Sequence, residues 1–258
     1  KRNEKNYYMI LIGDIGNTQS KFAHYNKGNN KLFKLKNFNT ADIEKNKDFT
    51  KFVNNTKFTN AVITSVVPKV FLKIKSVLKK KNIKCYEILD KKLKNPIKIK
   101  IKKPKQLGSD RLANVFAANQ LYRSNCIVID FGTATTFDIL SKNGIYNGGL
   151  ITPGVRLSLS TLSSLTALLP LIKLKKTKQI IGKDTISAIN SGVYWGYVAM
   201  IDGLLKKIIS TTKKKYKVIL TGGLAHIFSN SLQYKSTINT SITLQGVVEI
   251  IKYNKKLF

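Results

Sequence analysis

Asp14-Ile15-Gly16-Asn17-Thr18 and Asp130-Phe131-Gly132-Thr133-Ala134-Thr135 are two versions of one turn, and their spacing decides the fold. Ile10 to Ile12 run into the first, and Phe22 and Ala23 follow it after a polar break. That pattern predicts a strand, a tight glycine turn and a returning strand. Cys126 to Ile129 run into the second, and Phe137-Asp138-Ile139-Leu140 follow it. The offset of 116 residues (130 − 14) is close to half of the 258-residue chain. A duplicated α/β unit, with 1–124 and 125–258 as its halves, accounts for the repetition.

The flanks of each turn support that class. Ala61 to Val66 reads as a β-branched strand, and Pro68 opens a helix whose Val70, Phe71, Ile74, Val77 and Leu78 make one apolar stripe. Cys85 to Leu89 is the next strand, so a right-handed crossover between parallel strands is expected. In the second half, Ser141-Lys142-Asn143-Gly144 links two strands as a hairpin turn. Helices are expected over 155–169, closed by Pro170, and over 185–210, then a strand over 218–220 and Thr221-Gly222-Gly223. No low-complexity linker separates the halves, and the expectation is that they pack across a cleft.

Composition narrows the function classes. Apolar residues make up 43% of the chain, which excludes a wholly disordered polycation despite a net charge of +33. Apolar runs such as 126–129 fall far short of the roughly 18 to 20 residues of a membrane span. Asp14 interrupts the first apolar run too soon for a secretory signal, so a cytoplasmic location is expected. Cys85 and Cys126 sit in strand-like runs, as buried reduced thiols do. Arginine occurs only at positions 2, 111, 123 and 156, and Lys, Asn and Ile abound, the mark of A+T-rich coding. Scattered lysine attracts phosphate without reading sequence, so a solvated surface is expected in place of a specific nucleic-acid site.

The turns carry the candidate chemistry. Gly16 lets a phosphate approach the main chain, Asn17 and Thr18 donate hydrogen bonds, and Asp14 at a strand end suits the water shell of Mg²⁺. By itself this turn also reads as an ordinary hairpin with turn-favouring Asp and Gly. Its near-repeat at Asp130 makes the pair look like two halves of a nucleotide-phosphate clamp. Thr221-Gly222-Gly223 after a strand is a third phosphate-facing candidate.

Taken in order, DIGNT at 14–18, GSDR at 108–111, DFGTATTFD at 130–138, GGLITPG at 148–154, GKDT at 182–185, SGVYWGY at 191–197 and TGG at 221–223 resemble type III pantothenate kinases. These form a bacterial family of the acetate kinase, sugar kinase and actin superfamily. The resemblance implies duplicated ribonuclease H-like α/β domains of the actin-like ATPase superfamily with a cleft between them. It also implies ATP-dependent phosphorylation of pantothenate to 4'-phosphopantothenate, the first step of coenzyme A biosynthesis, by a homodimer. Asp14, Ile15, Gly16, Asn17, Thr18, Gln19, Ser20 and Lys21 would form the first ATP-phosphate segment, with Asp14 serving Mg²⁺ through water. Thr133 would be a further ATP contact. Asp110 resembles the general base that takes the proton of the pantothenate hydroxyl. Gly108, Ser109, Asp110 and Arg111 would line the pantothenate pocket together with Thr185. Asp130 resembles the ligand of a monovalent cation, K⁺ or NH₄⁺. Met9 falls at the usual family start, making residues 1–8 an extension, and Ile101 stands where the family has a tyrosine.

Several residues keep two readings. Leu112, Val115, Phe116 and Tyr122 repeat at helical spacing, so Ser109 or Asp110 occupies an N-cap position; capping and catalysis are compatible, because the helix dipole favours an ionised carboxylate. Arg111 suits a carboxylate or a phosphoryl group, or else a surface ion pair. Gly192, Gly196, Ala199 and Gly203 mark one helix face, read as close helix packing or as a homodimer contact. Trp195 reads as core, and His24 and His226 lack companions for a zinc site or a Ser-His-Asp triad. Two rival functions remain beside the kinase: a non-catalytic regulatory or nucleic-acid-binding relative, suggested by the charge, and another phosphotransferase or polyphosphate hydrolase of the superfamily. The three aspartates 14, 110 and 130 argue against the first, and GSDR against the second.

Overall fold

The computed structural model describes residues 9–45 and 47–258; the expected extension, residues 1–8, lies outside them. In chain order the elements begin with β1 (Met9–Ile15), β2 (Gln19–Asn26), β3 (Lys31–Asn39), α1 (Lys47–Asn54), β4 (Asn60–Ser65) and α2 (Pro68–Lys79). They continue with β5 (Lys84–Glu87), β6 (Lys98–Ile99), α3 (Ser109–Tyr122), β7 (Cys126–Phe131), β8 (Ala134–Ser141) and β9 (Ile145–Pro153). The last are α4 (Val155–Ser164), α5 (Thr185–Thr212), β10 (Lys217–Gly222), α6 (Ala225–Phe228), β11 (Ser236–Ile238) and α7 (Ile242–Tyr253).

The two glycine turns belong to two sheets of the same topology. One sheet has the order β3-β2-β1-β4-β5 and the other β11-β10-β7-β8-β9-β6. Read from its other edge, the second repeats the first strand for strand, with β6 added beyond β9. The directions repeat too. β1 runs antiparallel to β2 and parallel to β4, as β7 does to β8 and β10. The crossover from β4 through α2 to β5 joins parallel strands, with Pro68 at the start of the helix and Phe71, Ile74 and Leu78 buried. Gly144 closes the expected hairpin at φ +74°, a left-handed conformation natural to glycine.

The chain divides into two compact units. The first runs to Lys98, resumes over Lys102–Leu121 and takes in Ser241–Phe258; the second holds Ile99–Ile101 and Tyr122–Thr240. This division differs from a cut at 124/125 because α7 packs on β1 and β4 of the first unit. At Gly246 a Cβ would stand 1.9 Å from the Ala113 carbonyl oxygen, so α7 and α3 touch backbone to backbone. Thr243 Oγ1 donates to Asn114 Oδ1 (2.8 Å) across the same contact.

Each unit has its own core. In the first, Leu11, Phe22, Phe38, Phe49, Ile63 and Ile74 pack one face of the sheet under α1 and α2. In the second, Ile127, Ile129 and Phe137 meet Tyr194, Val198 and Ile201 of α5, and Phe228 stacks on Phe131 (5.1 Å). One helix is shorter than its pattern: α4 ends at Ser164. Ser164 Oγ and Thr166 Oγ1 bond back to the carbonyls of Thr161 and Leu162, and Leu165 and Leu168 are exposed with no core to reward further helix.

Candidate active site

In the first unit, β1 carries Asp14 to the sheet's end, opposite Lys21 of β2 and Thr64 of β4. The turn beyond it is closed by the Gly16 N–H on the Gln19 carbonyl (3.1 Å). Thr40 braces it from outside the hairpin. Its Oγ1 donates to the Gly16 carbonyl (2.8 Å) and shares a hydrogen bond with Ser20 Oγ (2.8 Å), while its N–H reaches the Thr18 carbonyl (3.0 Å). Asn17, Thr18 and Gln19 are therefore presented outward, Asp14, Gly16 and Lys21 are half-buried, and the side chains of Ile15 and Ser20 are buried. The side chains of Ile15 and Ser20 therefore do not face outward with the rest of the turn.

The GSDR stretch opens α3 beside the same strand ends. The Leu112 N–H bonds the Gly108 carbonyl (3.0 Å), which puts Gly108 at the cap position, and Ser109 and Asp110 one and two residues further in than expected. Ser109 is 1% exposed. Its hydroxyl accepts from Thr64 Oγ1 (2.7 Å) and the Ser65 N–H (2.8 Å) and donates to the Ser65 carbonyl (3.0 Å). This side chain clamps α3 to β4; it does not face outward. Asp110 folds back over the bare Cα of Gly108, where a Cβ would stand 2.6 Å from Oδ1, and Oδ1 accepts the Arg111 N–H (2.7 Å). Burial pushes the Asp110 pKa up, opposed in part by that N–H and by the charge of Arg111. A half-buried carboxylate with a raised pKa at a helix N-terminus is suited to accepting a proton.

In the second unit, three glycine motifs converge on one turn. Asp130 ends β7 opposite Thr221 of β10, as Asp14 stands opposite Thr64. The Gly154 N–H bonds the Thr133 carbonyl (3.1 Å), and a Cβ at Gly154 would stand 2.2 Å from that oxygen. Gly222 has φ +85°, and a Cβ there would stand 2.6 Å from both Asp130 Oδ1 and the Phe131 carbonyl oxygen. The exposed Thr133 sits at the tip of this assembly. Thr185 is the exposed first residue of α5, behind a capping box in which Asp184 accepts the Ser187 N–H (2.9 Å).

The remaining candidates resolve locally. A Cβ at Gly192, Gly196 or Gly203 would meet nothing within 4 Å, so among the described residues nothing packs on the small face of α5. Trp195 lies half-buried against the second core and donates Nε1–H to the Gln179 carbonyl (3.2 Å). Cys85 and Cys126 are free thiols; burial pushes Cys85 to about 12, far from a reactive thiolate. His24 is enclosed by Phe33, Phe52 and Phe58. Among the described residues no group of three or more His, Cys, Asp or Glu is placed to hold a metal, and no helix is long and apolar enough to cross a membrane.

These motifs occupy equivalent strand ends of a duplicated sheet, and comparison with known proteins agrees with that arrangement. A profile described as type III pantothenate kinase matches residues 10–207, well over half of the chain. The chain belongs to the type III pantothenate kinase family. A type III pantothenate kinase of Pelagibacter ubique (strain HTCC1062) is 42% identical over 93% of this chain and 97% of its own. Another, from Sulfurihydrogenibium sp. (strain YO3AOP1), is 39% identical over 95% of this chain and 100% of its own. Among solved structures, glucokinase from an Antarctic psychrotroph superposes with TM-score 0.50 at 11% identity over 96% of this chain and 100% of its own. That likeness shows the fold alone, the actin-like and sugar-kinase fold.

Within this type III pantothenate kinase scaffold, sequence reasoning missed Thr64, Ser65 and Glu87. Glu87 ends β5, its Oε2 accepts the Leu89 N–H (2.8 Å), and burial pushes its pKa up. The available signal was an acidic residue at a strand end, the same feature that marks Asp14 and Asp130, in a chain with only 13 acidic residues.

Proposed function

We propose that this chain transfers the terminal phosphoryl group of ATP to the hydroxyl of pantothenate, giving 4'-phosphopantothenate at the first step towards coenzyme A. Membership of the type III pantothenate kinase family supports the reaction. The observation that carries the assignment of roles is Asp110, a half-buried carboxylate on the first turn of α3, which Ser109 ties to the strand beside Asp14. Asp110 accepts the hydroxyl proton as the phosphoryl group arrives; the transition state of such transfers is loose, so a weak base that acts late suffices. Arg111 and the main chain of Gly108 flank it as pantothenate contacts, with Thr185 as a further one. The outward Asn17, Thr18 and Gln19, the main chain of the 14–21 segment and Thr133 are the ATP contacts.

ATP acts with a divalent metal in this family. Asp14 fits Mg²⁺ held through water, since it is a single carboxylate at a strand end with an open turn beyond it. When bound, Mg²⁺ supplies charge neutralisation to the phosphates. Asp130 Oδ1 and the Phe131 carbonyl, both pressed on the bare Gly222, are hard oxygen donors of the kind that suit K⁺ or NH₄⁺.

A second copy of the chain is the proposed partner. The small face of α5 is open, and Leu165, Leu168, Leu171, Ile180 and Ile181 in the segment leading into it, with Ile186 in its first turn, expose apolar side chains. Light scattering should give about twice 29.0 kDa, and Gly196→Arg should give the monomer; a monomeric wild type refutes the partner. A cytoplasmic location is proposed with it.

The deciding assay is ADP release with ATP, Mg²⁺ and K⁺, with and without pantothenate. Pantothenate-dependent release is expected. Equal ADP release in both arms refutes the substrate.

A further inference from the structure

One peptide group in the second unit is held at both ends: the group that joins Pro153 to Gly154. Its N–H, on Gly154, bonds the Thr133 carbonyl (3.1 Å), and its C=O, on Pro153, accepts the Tyr197 hydroxyl (2.7 Å). A peptide unit is planar, so fixing the direction of its C=O fixes the direction of the N–H opposite. Tyr197, in α5, therefore sets how Gly154 presents its donor to the Thr133 turn. That turn has no slack to absorb an error. A Cβ at Gly154 would stand 2.2 Å from the Thr133 carbonyl oxygen and 2.6 Å from that of Gly132, so the two stretches of backbone are in contact.

Tyr197 is itself firmly placed. It is buried in the second core, where its ring stacks on Phe228 (5.9 Å), and Phe228 stacks on Phe131 (5.1 Å), next to Gly132 in the turn. The Pro153 carbonyl can only accept, so it takes the tyrosine's one hydroxyl proton, and Ser158 Oγ, 3.0 Å away, donates its own proton to the tyrosine oxygen. Hydrogen bonds in series polarise one another, so this relay from Ser158 through Tyr197 and the 153–154 peptide ends in a strengthened donor at the Thr133 carbonyl.

We propose that Tyr197 is a positioning residue for the nucleotide: through the Pro153–Gly154 peptide it holds the Thr133 turn in the geometry that receives ATP. The inference rests on the role proposed above for Thr133 and adds to it a residue that acts from beneath the turn.

The test compares Tyr197→Phe, which keeps the ring and removes the hydroxyl, with Ser158→Ala, which removes the neighbouring hydrogen bond and leaves the one to Pro153. Tyr197→Phe should raise the calorimetric Kd for ATP with Mg²⁺, and the KM for ATP, roughly 3- to 10-fold, with the KM for pantothenate within about twofold. Ser158→Ala should leave all three within about twofold. Equal ATP affinity in wild type and Tyr197→Phe refutes the proposal. So does an equal rise in the two KM values, or a loss in Ser158→Ala as large as in Tyr197→Phe, which would mark a general loosening of α4 against α5. Amide exchange in the wild type needs no variant: ATP should slow exchange of the Gly154 N–H, and an unchanged rate overturns the proposal. ATP binding does not depend on the acceptor. Weaker ATP binding in Tyr197→Phe therefore upholds the positioning role even if ADP release proves independent of pantothenate, whereas a wild type that binds no ATP overturns both readings.

Discussion

Replacing Asp110 by asparagine separates the two things this residue does. Oδ1 accepts the Arg111 N–H at 2.7 Å, and an asparagine Oδ1 accepts the same bond. Two further effects oppose each other. The neutral side chain gives up a favourable interaction with the helix N-terminus of about 0.3–1 kcal/mol, and it removes the burial of a charge, which is the main reason the Asp110 pKa lies above its usual value. A folded-state pKa raised in this way means that protonation stabilises the fold relative to the ionised form. That contribution is present at low pH and is lost as pH rises through the folded pKa, so at pH 7 the neutral asparagine carries no penalty of this kind. Stability should therefore stay within about 1 kcal/mol of wild type. Catalysis should not survive as well. An amide cannot take the proton of an alcohol, and loss of a general base lowers rate about 10²- to 10⁴-fold, or roughly 2.7–5.5 kcal/mol in activation free energy. Urea denaturation gives the first number, and ADP release at saturating ATP and pantothenate the second. The acid limb of the wild-type pH profile, set above the range of an ordinary aspartate, should vanish from the residual activity. Near-normal turnover in a folded Asp110→Asn protein would show that the carboxylate only braces the helix, and the mechanism would fall with it.

Three other outcomes follow from the same geometry. His24 is fully buried and its pKa is depressed to about 4, first by burial and then by Lys34; stability is full above the unfolded value near 6.5 and falls by up to about 3 kcal/mol as pH drops towards 4. Urea midpoints at pH 7 and pH 4.5 should converge in His24→Leu relative to wild type, and an equal acid loss in both proteins refutes the assignment. Gly222→Ala forces a side chain into φ +85° and against Asp130 Oδ1; thermal melts should show a loss of about 1–3 kcal/mol, and an unchanged melting temperature would contradict the packing. Asp130→Ala should erase the difference between K⁺ and Na⁺ buffers in initial rate, and a wild type indifferent to the two cations rules out the cation site at Asp130.

What could be read from the residues alone was whatever depends on near neighbours along the chain. Glycine and aspartate at the strand ends specify the turns at 14–18 and 130–135, because a tight turn is a matter of a few consecutive dihedral angles. The stripe from Phe71 to Leu78 specifies α2, because 3.6-residue periodicity is local. The repetition of the two turns even implied the repeated sheets, since equivalent turns open equivalent strand orders. Tertiary structure decided what depends on which faces meet. A cut at 124/125 puts α7 in the second half, yet Gly246 seats it on Ala113 in the first unit. The small face of α5 reads as close packing or a homodimer contact, and none of the described residues covers it. Ser109 reads as part of a pocket wall, yet Thr64 and Ser65, 45 and 44 residues away, turn its hydroxyl inward. Glu87 carries no motif, and only the pairing of β4 with β5 sets it opposite Ile63, next to Thr64 and Ser65 in β4. A hydroxyl's direction is chosen by the donors and acceptors that surround it, and those are gathered from distant parts of the chain by burial of the sheet's apolar face, which local spacing does not encode.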